Sequence, residues 1–291
     1  MKHAYLILAH NDAALLEILV NCLDDSRNDL FIHWDAKSGA IPTLKTAHSR
    51  LFILDERIAV NWAGFSVVEA EYLLYKKAFK NGPYAYYHLL SGTDLPIKSQ
   101  DYIHSACDAM AGTEFIAFAD TTQEELDYRA QHYFLFPERF KGANVLIRAL
   151  RKAFISIQDL VGYHRIDIAV KKGSQWCSVT QDFVEYLLSK ERDIKNWFHH
   201  TFCPDELFVQ TLCANSPFIE RIKKASSEFE GNLRFIKWEN GRLMPITLED
   251  IPTLRSSDRW FARKFSSGDQ VLVNTILNMV SSHDFSNHSC L

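Results

Sequence analysis

The sequence lacks most of the signatures that would fix a function at sight. No C-x-x-C pair occurs, and the six cysteines (Cys22, Cys107, Cys177, Cys203, Cys213, Cys290) stand far apart. They read as free, mostly buried thiols rather than as a disulfide framework or a ligand set. The 12 histidines include no H-E-x-x-H. His199 and His200 are adjacent, so they point different ways on a helix, and no metal site is expected. There is no P-loop, no G-x-S-x-G and no G-x-G-x-x-G after a strand. Asp-x-Asp, with which many nucleotide-sugar transferases hold a divalent cation, is absent too. Positive charge is not in excess: the formal net charge is -4, which gives no electrostatic case for nucleic acid. Long apolar runs are missing as well. Ala4–Ala9 is too short to span a bilayer, and no small-residue cleavage site follows it, so a soluble, cytoplasmic protein is expected.

What is present is the balance of a core-forming protein, 47% hydrophobic and 23% charged. Its 20 Phe, 11 Tyr and 6 Trp can fill a core or line a sugar groove. Short apolar strands alternate with helices through the first half. Tyr5–Ala9 leads to Asn11-Asp12, either of which can cap a helix from Ala13 to Val20. Leu30–His33 runs to Trp34-Asp35, and Leu51–Leu54 is a third strand. Ser66-Val67-Val68-Glu69 reads as a capping box for a helix to about Lys80, stopped by Asn81-Gly82-Pro83. Tyr84–Leu90 is then a strand ending in Ser91-Gly92-Thr93-Asp94. This alternation predicts an α/β fold with a mostly parallel central sheet flanked by helices. Ligands bind such sheets beyond the carboxyl ends of the strands, where His10, Asp35 and Ser91–Asp94 fall.

The second half is more mixed. Phe115–Phe118 and Ser174–Val179 read as strands, the latter followed by a helix capped by Thr180. Residues 138–152 hold Arg139, Lys141, Arg148, Arg151 and Lys152 among apolar residues, a pattern of a solvated helix face or of a peripheral contact with an anionic membrane. No repeat or linker appears, so residues 1–291 read as a single domain with two lobes. In Cys203-Pro204-Asp205-Glu206, Pro204 suits the first position of a helix continued by Leu207-Phe208-Val209. Acids in a first helical turn are favoured by the helix dipole with no function at all, so local sequence makes Glu206 a helix-start residue first and a catalytic one second. Arg255, Arg259 and Arg263 would share one face if their segment were helical, with Lys264 beside them and Arg242 upstream. They form a diphosphate clamp or a solvated basic face.

In order, these segments resemble the core-2/I-branching enzyme family, glycosyltransferase family 14, of β-1,6-N-acetylglucosaminyltransferases and peptide O-xylosyltransferases. The likeness runs from Ala4–His10 through Ile32–Lys37, Val60–Gly64, Tyr87–Lys98, Gly173–Trp176 and Pro204–Glu206 to Phe261–Phe265. Each piece is weak alone; their ordered set is specific. It implies a GT-A-like (Rossmann-like) fold, with about 1–120 binding the nucleotide sugar and about 121–291 carrying acceptor and catalytic functions. It implies an inverting reaction on a UDP-sugar, UDP-GlcNAc before UDP-xylose, with no divalent metal or other cofactor required. Glu206 becomes the general base, and Arg242 and Lys264 the diphosphate pair. His10, Asp35 and the residues around Trp62 form the uridine pocket. Ser91, Thr93, Asp94, Gln175, Trp176 and Asp205 fall in matched segments as substrate-side residues, and Trp238 resembles an acceptor-side aromatic. Two fixed cations can take over the metal's task of stabilising the departing diphosphate, so the missing Asp-x-Asp is expected. Animal members have an N-terminal anchor, a luminal location and disulfides. This chain resembles a bacterial version working in the cytoplasm or at the inner face of the membrane. The acceptor, of glycan type, stays open because 121–172 matches nothing by residue. The alternative is an inactive nucleotide-sugar- or carbohydrate-binding protein of the same fold.

Overall fold

The apolar runs of the first hundred residues form the centre of the molecule, which a computed structural model describes over residues 1–223 and 230–282. The first half contains β1 (His3–Ala9), α1 (Ala13–Leu23), β2 (Asn28–Trp34), β3 (Arg50–Ile53), α2 (Ser66–Asn81), β4 (Tyr86–Ser91), β5 (Leu95–Pro96) and α3 (Gln100–Ala109). Then come α4 (Gln123–Ala130), α5 (Val145–Leu160), β6 (Ser178–Thr180), α6 (Gln181–Ser189), α7 (Glu191–Phe198) and α8 (Phe208–Ala214). The last are β7 (Arg234–Ile236), β8 (Trp238–Glu239), β9 (Arg242–Leu243), α9 (Ile251–Ser256), β10 (Phe261–Arg263) and α10 (Gln270–Ser282). The main sheet has the order β3-β2-β1-β4-β6. Its first four strands are parallel, with Tyr5 opposite Leu30 and His88, and β6 closes it antiparallel to β4. This is the mostly parallel, helix-flanked sheet that the strand–helix alternation predicts.

Period two decides which helix covers which face. Ala4 and Leu6 point into a core shared with Val68, Tyr72 and Tyr75 of α2, Phe183 of α6 and Phe208 of α8. Tyr5, Ile7 and Ala9 point the other way, onto Leu15, Leu16 and Leu19 of α1, Ile103 of α3 and Leu272 of α10. Burial on both faces is why β1 reads as an unbroken apolar run. The sheet order turns back between β1 and β4, so their carboxyl ends open a crevice at the switch point. There Gly92 donates its N–H to the Leu8 carbonyl at 2.8 Å. A Cβ at Gly92 would lie 2.8 Å from that of Ala9, so the close approach requires glycine. A second sheet, β5-β10-β7, stands beside the crevice and ties β10 to the loop after β4.

Several local expectations are corrected. The helix from Ser66 forms, but the Ser66–Glu69 capping box does not. Glu138 takes its place, accepting from the Ser66 N–H at 3.1 Å and its hydroxyl at 2.5 Å, a carboxylate on a helix N-terminus. Phe115–Phe118 makes only isolated bridges, and the strand expected from Ser174 begins at Ser178, leaving Gln175 and Trp176 in a loop. Pro204–Glu206 is a single 3₁₀ turn ahead of α8 rather than the first turn of one α-helix. The arginines do not share a helical face: Arg255 lies in the last turn of α9, Arg259 in a loop and Arg263 in β10. At the cap of α1, Asp12 accepts from the Leu15 N–H, as expected, and also from the N–H and hydroxyl of Ser267. Cys22, Cys107, Cys177, Cys203 and Cys213 are free; Cys290 lies outside the described residues.

Candidate active site

Two groups of side chains flank the crevice. The first stands at the strand ends. Asp35, following β2, is nearly buried; its N–H reaches the Ala9 carbonyl at 2.8 Å and its carboxylate accepts from the Lys37 N–H at 2.8 Å. His10, following β1, is exposed at the rim. Burial lowers its pKa, Asp35 raises it, and Lys264 and Lys37 lower it again, so His10, Asp35 and Lys264 share one electrostatic neighbourhood. Lys264 leaves the end of β10 where Phe265 donates to the Thr93 carbonyl at 2.9 Å. Its ammonium has no side-chain partner among the described residues, and burial together with Arg263 lowers its pKa.

The loop after β4 is built as a polar cradle. Ser91 N–H donates to Asp94 Oδ2 at 2.9 Å, and the Ser91 and Thr93 hydroxyls bond each other at 3.0 Å. Asp94 is buried, which raises its pKa, and the Arg263 guanidinium 3.3 Å from Oδ1 opposes that rise. Arg263 also lies 4.2 Å from the centre of the Trp176 ring, so the cation sits between a carboxylate and an indole.

The second group surrounds the Pro204–Glu206 turn. Arg129 of α4 donates to Glu206 Oε2 at 2.7 Å and pairs with Glu125, which Lys172 also holds. Glu206 Oε1 has no protein partner among the described residues, and the side chain is 38% exposed. Asp205 faces inward. Burial and the neighbouring Glu206 push its pKa up to about 7, and its Oδ1 is shut from solvent without a partner. Glu71 of α2 lies beneath it, fully buried, with its pKa raised by burial and by Asp205. One Glu71 oxygen accepts from Gln175 at 2.7 Å; the other is unpartnered.

Residues 172–176 join the two groups. Lys172 holds Glu125, Gly173 N–H donates to the Glu206 carbonyl at 2.9 Å, Gln175 holds Glu71, and Trp176 receives Arg263. A Cβ on Gly173 would sit 1.9 Å from the Ala117 carbonyl oxygen, so only glycine fits there. Trp62 is 61% exposed beside the Pro204–Glu206 turn: its ring meets Phe202 edge-on, and Cys203 N–H donates to the Ala63 carbonyl at 3.1 Å.

Trp238 and Arg242 are exposed on the β8–β9 hairpin, and the chain that follows it returns to Lys264, whose carbonyl accepts from the Ile246 N–H at 3.0 Å. Sequence reasoning missed Arg129 and Glu71 altogether, since neither lies in a motif. It also left Arg263 undecided, because only the fold carries its guanidinium to Trp176 and Asp94. Among the described residues, His3, His88 and Cys107 bring three metal-capable atoms within 4.8 Å, also unsignalled by spacing. That cluster lies in the core: His88 bonds His3 at 3.1 Å and Ser178 at 2.7 Å, and burial depresses both imidazoles, His3 to about 3.

The buried Asp94–Arg263–Trp176 arrangement and the Arg129–Glu206 pair are thus linked through residues 172–176. The chain belongs to the Core-2/I-Branching enzyme family, whose model matches residues 3–258. It is similar to the beta-1,3-galactosyl-O-glycosyl-glycoprotein beta-1,6-N-acetylglucosaminyltransferase 4 of Mus musculus, 22% identical over 91% of this chain and 62% of that protein. It is also 22% identical to xylosyltransferase 1 of Homo sapiens, over 82% of this chain and 24% of that protein. The chain therefore spans about three fifths of the first of these relatives and about a quarter of the second. Among solved structures, S. aureus TarS 1-349 matches with a TM-score of 0.39 and 11% identity over 99% of this chain and 73% of that one.

Proposed function

We propose that this protein is an inverting, metal-independent glycosyltransferase that moves a sugar from a UDP-sugar to a hydroxyl of a glycan-type acceptor. GlcNAc is the first choice of sugar and xylose the second, following what the names of its relatives say they transfer. The observation that carries the reading is the state of Glu206: one oxygen is fixed by Arg129 at 2.7 Å while the other stays open at the crevice. A carboxylate so oriented can accept a proton from an acceptor hydroxyl. The hydroxyl oxygen then forms a bond to the anomeric carbon, the bond from that carbon to the diphosphate oxygen breaks, and UDP leaves on the opposite face. Configuration inverts.

Charge that develops on the leaving diphosphate is met by Lys264, with Arg263 behind it and Arg242 of the β8–β9 hairpin as the second cation. The uridine falls to His10, Asp35 and Trp62. Ser91, Thr93, Asp94 and Gln175 shape the sugar site, Trp176 supports it from behind through Arg263, and the exposed Trp238 offers an indole face to a sugar ring. Asp205 lies on the inner side of the same turn as Glu206, on the substrate side in this reading. A UDP-release assay with UDP-GlcNAc and UDP-xylose over an acceptor panel, with and without EDTA, tests this. Turnover should survive chelation, and its loss would sink the metal-free reading. UDP binding with no turnover on any acceptor would favour the binding-protein alternative instead.

A further inference from the structure

Helix α5 shows a broad apolar face to solvent. Its one fully buried side chain among the described residues is polar: Gln158 accepts from the Tyr133 N–H at 2.7 Å and donates to the Tyr133 carbonyl at 3.0 Å. Arg151, on the same side, donates to the carbonyls of Leu135 and Phe136 at 3.2 and 3.3 Å and lies over the Phe140 ring. The opposite face carries Leu146, Ala149, Leu150, Ala153, Ile157 and Leu160, at helical spacings of three and four. Its large members are open to solvent, from Leu150 at 46% to Leu160 at 86%. Val145 and Val161 extend this stripe at its two ends, and Phe136 and Tyr163 stand exposed nearby. A helix on a soluble body turns its apolar stripe inward. Here the inward side mixes Gln158 and Arg151 with half-buried Ile147, Phe154 and Ile155, and a second apolar stripe is presented outward as a contiguous patch of the kind that marks an interaction surface.

Charge indicates what covers it. From Arg139 to Gln158 there is no acidic residue, while Arg139, Lys141, Arg148, Arg151 and Lys152 supply five cations in a chain whose net charge is -4. Arg148 and Lys152 are exposed one turn apart at the border of the stripe. An apolar stripe bordered by cations matches the acyl–headgroup boundary of an anionic bilayer. A second copy of this segment offers no acid between Arg139 and Gln158 to meet those cations. The 16-residue helix is too short to cross a membrane, and no described helix is long and apolar enough to do so, which leaves a surface orientation.

We propose that α5 seats the protein on an anionic phospholipid surface, lying in the interface with Leu146, Leu150, Ile157 and Leu160 inserted and Arg148 and Lys152 at the headgroups. The test is co-sedimentation of the full chain with vesicles of equal parts phosphatidylglycerol and phosphatidylcholine, against vesicles of phosphatidylcholine alone. Wild type should pellet with the anionic vesicles and stay largely soluble with the neutral ones. Arg148→Glu with Lys152→Glu should cut partitioning at least tenfold, since each cation near such a surface contributes a factor of about five. Leu146→Ser, Leu150→Ser and Ile157→Ser together should cut it at least as much. These side chains are outside the crevice and solvent-exposed, so far-UV circular dichroism should not change. Equal recovery of wild type in the supernatant with both vesicles overturns the proposal. So does a wild-type dimer, seen by light scattering, that the serine variant converts to monomer without any vesicle binding, because α5 would then be a self-association seam.

Discussion

Replacing Glu206 by Gln keeps the size of the side chain and an oxygen for Arg129 to meet, but removes the group that would accept the acceptor's proton. In the structure, Arg129 holds Oε2 at 2.7 Å and the peptide of the turn is anchored by Gly173 N–H at 2.9 Å, so the substitution leaves the turn in place. General-base catalysis typically contributes ~10²–10⁴-fold, equivalent to about 3–5 kcal/mol in the barrier. Initial rates of UDP release at saturating donor should therefore fall by about that factor in kcat. UDP affinity, measured by titration calorimetry, should stay within about twofold, because among the described residues no hydrogen bond or ion pair joins Glu206 to Lys264. Arg129→Met should lower kcat by a smaller factor with a changed pH profile, since its charge orients the carboxylate. An E206Q enzyme with wild-type turnover would refute the reasoning, and equal losses in turnover and UDP binding would show a collapsed turn rather than a missing base.

Three further outcomes follow from the same geometry. Lys264→Ala should weaken UDP binding by about tenfold or more, the worth of one charge-assisted hydrogen bond, and unchanged calorimetric affinity would move the clamp to another cation. Because the Asp205 pKa is raised to about 7 in the fold, the stabilisation of its protonated form is complete below the unfolded-state value near 4 and is lost as pH rises through 7. Asp205→Asn should therefore gain stability over wild type between pH 4 and 8, by at least about 1 kcal/mol in urea unfolding; a pH-independent difference would contradict the burial of this carboxyl. Gly173→Ala should cost about 2–3 kcal/mol and reduce turnover, because its Cβ meets the Ala117 backbone rather than a side chain that can swing away; a thermal midpoint equal to wild type would contradict that contact.

Much of the fold was legible because its signals are local. The unbroken apolar run of β1 and the Asp12 cap were readable within a few residues of chain, as were the Asn81-Gly82-Pro83 stop of α2 and the placement of His10, Asp35 and Ser91–Asp94 at strand ends. The capping box at Ser66 was misread for the opposite reason. Its hydroxyl is taken by Glu138, 72 residues away, a partner no local window contains. The arginine face failed likewise, since a helical spacing says nothing once Arg263 is recruited into the second sheet.

By itself the sequence determined the alternation of strands and helices, the two buried faces of the sheet and the residues at its carboxyl ends, because side-chain periodicity and capping act over one or two turns of chain. It also held, in scattered segments, the pattern of its family. Only the tertiary structure decided which charges meet. Arg129 reaches Glu206 across 77 residues, Glu71 lies under Asp205, and Arg263 is lodged between Asp94 and Trp176. It also decided that α5 is held by Gln158, Arg151 and a few half-buried apolar residues while a second apolar stripe stays outward. Periodicity gives a helix two faces, but which one turns inward depends on what the rest of the chain places against it.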